Sequence, residues 1–151
     1  MAEGDAVPPL PPGVVPGLVV GMGTDLVEIG RFRLAMARRA RLGERLFSDA
    51  ERAYAYRHRD PAPRLAARFA AKEAVMKALG VGLGAFKLRD VEVVRRTGAE
   101  RGSQGAGAPA VVLYGKAADL AVARGVTGWH LSLTHSDFMA MAVALALAHD
   151  A

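Results

Sequence analysis

Four charged side chains fall within Arg68-Phe69-Ala70-Ala71-Lys72-Glu73-Ala74-Val75-Met76-Lys77-Ala78-Leu79-Gly80. The stretch reads as a helix, being alanine-rich, free of proline and closed by a glycine. At about 100° per residue it shows no broad polar face. Ala67, Ala70, Ala71, Ala74 and Ala78 make one smooth side, and Leu65, Phe69, Met76 and Leu79 much of the other. A helix apolar nearly all round is buried, and buried charges need a partner, an ion or a ligand because desolvating them alone is costly. Either Glu73 and Lys77 simply pair at i,i+4 on a half-exposed helix, or the helix carries a carboxylate and several cations into a site. A second carboxylate, Asp25, follows Leu18 to Thr24, whose alternation reads as a strand with Gly21 and Gly23 on the side that Asp25 continues. Glycines there let something approach the backbone closely. Asp25 reads equally as the N-cap of the next helix, with Glu28 completing a capping arrangement. Gly80-Val81-Gly82-Leu83-Gly84 is a loop flexible enough to wrap a phosphate, or a plain connector. His135 closes another alternating segment, where a histidine serves as a structural strand end or as a ligand.

The elements that must position these residues follow from the same periodicities. A helix from about Leu26 to Ala40 sets Leu26, Ile29, Phe32 and Met36 inward and leaves Arg31, Arg33, Arg38, Arg39 and Arg41 mostly outward. Ser48-Asp49-Ala50-Glu51 is a capping box, so a short helix runs to Tyr56 or Arg59 until Asp60-Pro61-Ala62-Pro63 breaks it. After the central helix, Val91–Arg95 and Ala110–Tyr114 read as a hairpin around a glycine-rich loop, Gly98 to Ala108. Lys116–Arg124 is a helix closed by Gly125, Trp129–His135 a strand, and Phe138–Leu147 a strand pairing back through Ser136-Asp137. The last segment is apolar on both faces, more than a small two-layer domain can bury, so one face is expected to meet another subunit. The order β-α-α-α-β-β-α-β-β gives the α+β class, an antiparallel-rich sheet packed against helices. Residues 1–17 hold five of the eight prolines and read as a flexible tail; residues 18–148 form the domain.

Composition narrows the chemistry. At 151 residues the chain makes one domain with a real core, and its 52% hydrophobic content excludes global disorder. Without cysteine there are no disulfides, thiolate metal sites or cysteine nucleophiles. Glu3 and Asp5 stand where a signal peptide carries basic residues, and no apolar run is long enough to span a bilayer, so a soluble cytoplasmic protein without membrane contact is expected. Residues 31 to 68 hold eleven arginines against Glu44, Asp49, Glu51 and Asp60, a local balance of +7 within a net +5. A cation surplus confined to one segment points to an anionic partner. A basic module binding RNA or DNA is one such reading, but the arginines lack interleaved aromatics for base stacking.

Gly23-Thr24-Asp25-Leu26-Val27-Glu28-Ile29-Gly30-Arg31, Arg68-Phe69-Ala70-Ala71-Lys72-Glu73-Ala74 with Lys77-Ala78, and Ser132-Leu133-Thr134-His135 occur in that order. Together they resemble the small 4′-phosphopantetheinyl transferases, the holo-(acyl-carrier-protein) synthase family. The resemblance implies an enzyme that moves the 4′-phosphopantetheine arm of coenzyme A onto a serine of an apo acyl-carrier protein and releases adenosine 3′,5′-bisphosphate. The family's Mg²⁺-binding carboxylates fall on Asp25 and Glu73 and its phosphate-orienting lysine on Lys77, and these three are the implied catalytic residues. Coenzyme A contacts fall on Arg68, Lys72, Lys77, Gly80, Gly82, Gly84, Thr134 and His135. Arg31, Arg38 and Arg39 are the expected docking residues for the acidic carrier protein, which belongs to fatty-acid or polyketide biosynthesis. Nucleic acid is then no partner, and the family's usual assembly is a homotrimer with sites between subunits. Magnesium suits this residue set, since it takes one or two carboxylates together with substrate phosphate and water, and either Glu73 or a water on the metal can take the serine proton. The chain departs from the family at Ser136-Asp137 after the histidine and at Gly107-Ala108-Pro109, where the hairpin turn often carries a cation.

Overall fold

The computed structural model of the protein describes residues 18–96 and 107–149. The expected proline-rich tail and positions 97–106 of the hairpin loop lie outside the described residues. The chain runs β1 (Leu18–Glu28), α1 (Ile29–Arg38), α2 (Leu42–Leu46), α3 (Asp49–Tyr56), α4 (Ala62–Ala78), a 3₁₀ turn (Leu88–Asp90), β2 (Val91–Arg95), β3 (Pro109–Leu113), α5 (Gly115–Ala123), β4 (Gly128–His135) and β5 (Met139–Ala148). The α+β class and the element order are those expected, with α2 added between the first helix and the capping box. Its five residues span too little for apolar periodicity to register.

Two antiparallel sheets form, β1-β5-β4 and the hairpin β2-β3. β5 is the central strand of the larger sheet and pairs with β1 from Leu18↔Ala148 to Glu28↔Met139. Its alternation is sharp: Ala140, Ala142, Ala144 and Ala146 are fully buried, while Met141 on the other face is exposed. The alanine side of α4 lies on the buried face. A Cβ at Gly23 would sit 1.8 Å from the Ala74 carbonyl oxygen, and one at Gly21 would sit 2.0 Å from that of Ala78. Helix and strand backbones therefore touch, and the close approach expected of these glycines is to the protein's own central helix.

β1 runs four residues further than the sequence pattern suggested, which corrects three expectations. Asp25 pairs with Ala142 inside the sheet and caps no helix; Glu28 occupies the N-cap of α1 and makes no side-chain cap bond. Leu26, expected inward on a helix, faces outward beside Met141 and is exposed. The metal-binding candidate Asp25 thus stands on a strand. A sheet face carrying Met22, Leu26 and Met141 is left exposed within the single chain.

Candidate active site

Helix α4 carries its charges in two rows. Arg64, Arg68 and Lys72 recur at i,i+4, as do Phe69, Glu73 and Lys77, and the row centres lie roughly 140° apart around the axis. With the alanine side against the sheet, the two rows flank it, so one helix serves two separate clefts.

The first cleft is a groove of about 610 Å³ whose lining includes Asp25 and Glu28 from β1, Arg31 from α1, Phe69 and Glu73 from α4 and Leu83 from the glycine loop. Lys77 donates to Asp25 Oδ1 at 3.0 Å and to the Thr24 carbonyl at 2.9 Å. The i,i+4 pair of Lys77 with Glu73 is therefore not the ion pair found. Burial raises the Glu73 carboxyl above its ordinary pKa, the neighbouring charge of Asp25 raises it further, and Lys77 opposes both. Two crowded carboxylates facing one groove are relieved by a cation, and their oxygens suit a hard divalent ion. Among the described residues no group of three or more histidines, cysteines and acids is gathered as a metal site. Gly80 closes α4 at φ +69°, a conformation that favours glycine, and turns the Gly80–Gly84 loop so that Leu83 reaches the groove wall. Arg31 stands at the groove, and Arg38 and Arg39 are exposed at the far end of α1.

Lys72, expected to contact coenzyme A, does not face either cleft as a free donor. It is fully buried, and its ammonium donates to Glu51 Oε2 at 2.8 Å, to the Leu88 carbonyl at 3.2 Å and to the Val91 carbonyl. All three protons are committed, which leaves none for a phosphate. Burial lowers the Lys72 pKa, with the Glu51 charge opposing. Glu51 serves its capping box through the Ser48 amide (2.9 Å) and also accepts from the Val93 amide (2.9 Å).

Arg68, Thr134 and His135 gather instead at a second pocket of about 270 Å³, together with Tyr54, Arg64 and Arg95. Burial lowers the pKa of Arg68, opposed by the charge of Glu51. Its guanidinium lies 4.3 Å from the centroid of the Tyr54 ring. Tyr54, Arg64 and Arg95 are not among the residues the sequence patterns single out. The i−4 spacing of Arg64 from Arg68 was a usable signal, whereas Tyr54 and Arg95 meet only because α3 packs beside β2. The structure therefore divides the expected site residues: Asp25, Glu73, Lys77 and the glycine loop on one flank of α4, Arg68, Thr134 and His135 on the other.

Comparison with known proteins gives concordant matches. Residues 21–137 match the model of the 4′-phosphopantetheinyl transferase superfamily. A holo-[acyl-carrier-protein] synthase of Moorella thermoacetica is 45% identical over 123 residues, covering 82% of this chain and 90% of that protein. Among solved structures, a holo-ACP-synthase from Plasmodium yoelii aligns with a TM-score of 0.75 at 25% identity, over 90% of this chain and 100% of that one. A holo-(acyl-carrier-protein) synthase from Bacillus anthracis, in complex with CoA (3′,5′-ADP), aligns with a TM-score of 0.66 at 28% identity, over 86% and 97%.

Proposed function

Because this chain belongs to the 4′-phosphopantetheinyl transferase superfamily and is a transferase by that membership, we propose that it moves the phosphopantetheine arm of coenzyme A onto a serine of an apo acyl-carrier protein, with Mg²⁺, and releases adenosine 3′,5′-bisphosphate. The observation that carries this reading is the meeting of Asp25 from β1 and Glu73 from α4 at one groove rimmed by Arg31, with Lys77 of α4 donating to Asp25. Asp25 and Glu73 would hold the ion. When bound, magnesium neutralises phosphate charge and stabilises the leaving group. Lys77, ion-paired to Asp25 and half-exposed, is placed to turn toward the pyrophosphate and orient it. Glu73 is also the carboxylate on this chain placed to take the serine proton, burial and the charge of Asp25 holding it above its ordinary pKa in the metal-free chain. Arg31, Arg38 and Arg39 present the cationic surface that an acidic carrier protein needs.

The same reading includes a homotrimer. The two clefts open on different flanks of α4, and joining the carboxylate groove of one copy to the arginine pocket of the next makes a single site. The exposed sheet face of Met22, Leu26 and Met141 offers an apolar surface for that contact. A cytoplasmic setting is part of the proposal; among the described residues no helix is long and apolar enough to cross a membrane.

The test is incubation with coenzyme A, Mg²⁺ and an apo carrier protein, following the mass gain of the arm. Asp25→Ala and Glu73→Ala should each abolish transfer with the circular dichroism spectrum intact. Near-parental turnover in either variant removes the assignment. Sedimentation of the parent as a monomer removes the shared site.

A further inference from the structure

The carboxylate groove is short of positive charge, and part of the shortfall is met from outside its lining. Asp25, Glu28 and Glu73 line the groove against a single lining cation, Arg31. Lys77 stands beyond that lining, one helical turn after Glu73, and reaches back to β1. Its ammonium donates to Asp25 Oδ1 at 3.0 Å and to the Thr24 carbonyl at 2.9 Å. A carboxylate oxygen and a backbone carbonyl oxygen are the donors that a hard cation takes. The ammonium therefore occupies part of a cation seat with a charge that belongs to the chain itself.

The two members of this pair are held very differently. Asp25 is fixed by the sheet, in register with Ala142, and its side chain is 17% exposed. The Lys77 side chain is 53% exposed and swings on a flexible four-carbon stem. An ion pair so open to water is weak, and the lysine is the member free to leave it. The contrast with Lys72 on the same helix is sharp, since that ammonium is fully buried with three acceptors. Lys77 donates two protons to the chain and keeps a third for an incoming anion. Cations that share one carboxylate repel each other, so a divalent ion and the Lys77 ammonium compete for Asp25.

We propose that Lys77 is the resident counter-cation of the carboxylate groove, holding Asp25 in the empty chain and releasing it to a divalent ion only when a phosphate anion takes the ammonium. The inference rests on the transferase reading above, in which Asp25 and Glu73 hold the ion. Ion and phosphate are then coupled through one side chain: each binds more tightly in the presence of the other, by the same factor. Lys77 is a positioning residue for the ion as well as a phosphate contact. The empty groove resists loading with metal alone, and the pair of carboxylates stays compensated until the anionic substrate arrives.

Titration of the full chain with Mn²⁺, followed by the paramagnetic resonance of the free ion, reads the seat without coenzyme A or carrier. Lys77→Met should bind Mn²⁺ about tenfold or more tightly than the parent, within the usual range of coupling between two sites. Lys77→Gln should do the same. Lys77→Arg keeps the charge and should stay within about threefold of the parent. The double variant Asp25→Asn/Lys77→Met should lose the gain. Melting gives a second readout: in chelator the Tm of Lys77→Met should lie below that of the parent, and Mg²⁺ should raise it by more than it raises the parental Tm. Saturating coenzyme A should tighten Mn²⁺ binding about tenfold more in the parent than in Lys77→Met, which has no ammonium to draw away. Equal or weaker Mn²⁺ binding by Lys77→Met and Lys77→Gln overturns the proposal, as does a coenzyme A effect that is present and equal in parent and variant. Tighter Mn²⁺ binding in Lys77→Met that depends on Asp25, with no transfer by the parent to any carrier, would uphold the counter-cation and remove the transferase reading instead.

Discussion

Substitution of Lys72 by methionine separates a ligand role from a structural one. Methionine keeps most of the side-chain volume, so the change removes charge and hydrogen bonds from a fully buried position with little cavity. Breaking one partner of a buried ion pair costs about 3–5 kcal/mol, because the other charge stays buried. Glu51 would not be left bare, since the Ser48 and Val93 amides still donate to it at 2.9 Å each, which places the loss near the lower end, about 3 kcal/mol. In a domain of this size that corresponds to a fall in Tm of roughly 10 °C. The double variant Glu51→Gln/Lys72→Met removes the stranded charge, and its amide can still serve part of the capping box, so it should recover a substantial part of the loss. Thermal and urea unfolding measure the stabilities, and calorimetry at a temperature where the variant is folded measures coenzyme A affinity, expected within about threefold of the parent because no proton of Lys72 is free for the ligand. Parental Tm with a loss of affinity of tenfold or more would refute this reasoning and return Lys72 to the phosphate contacts.

Gly23→Ala should destabilise by about 3 kcal/mol or more, since its Cβ would meet the Ala74 carbonyl at 1.8 Å and drive α4 off the sheet; a urea midpoint lowered at constant slope checks it. Glu73→Gln should raise the Tm of the metal-free chain at neutral pH while ending transfer. The folded-state pKa of Glu73 is raised, so the native state binds the extra proton and stability falls as pH rises through that window; the advantage of glutamine should therefore fade below the ordinary carboxylate range, as a Tm-against-pH series would show. Reversal to glutamate at Arg31, Arg38 or Arg39 should raise the KM for an acidic carrier protein far more than that for coenzyme A, and should flatten its salt dependence.

Legibility in the sequence followed the distance between partners. The Ser48–Glu51 capping box was readable because both halves lie within one turn, and it forms as expected. The second duty of that same glutamate was not readable, because Lys72 stands 21 positions away and Val93 stands 42 away. Local rules also proposed Asp25 as a cap, with as good a pattern as Ser48. Pairing decided against it: β5 is long enough to keep β1 in register through Glu28↔Met139, so the chain enters α1 only at Ile29. A cap bond offers about 1 kcal/mol, whereas leaving the sheet at Asp25 would also pull Val27 from its buried place opposite Ala140. The strand wins, and with it the side chain of Asp25 turns to the face shared with α4.

That outcome explains why a glycine-paired strand and an alanine-sided helix accompany the charged residues. Backbone contact at Gly21 and Gly23 fixes the depth and rotation of α4 against β1 more tightly than side-chain packing can. With the rotation fixed, i,i+4 spacing alone sends Glu73 and Lys77 toward Asp25, and Arg64 and Arg68 toward Tyr54. Larger residues at those glycines would leave the charge pattern of the helix unchanged and still misplace both rows together. The two clefts are therefore set by one contact between the two backbones, and a disturbance of it should weaken cation and phosphate binding in parallel, whereas a change in either row should affect one alone.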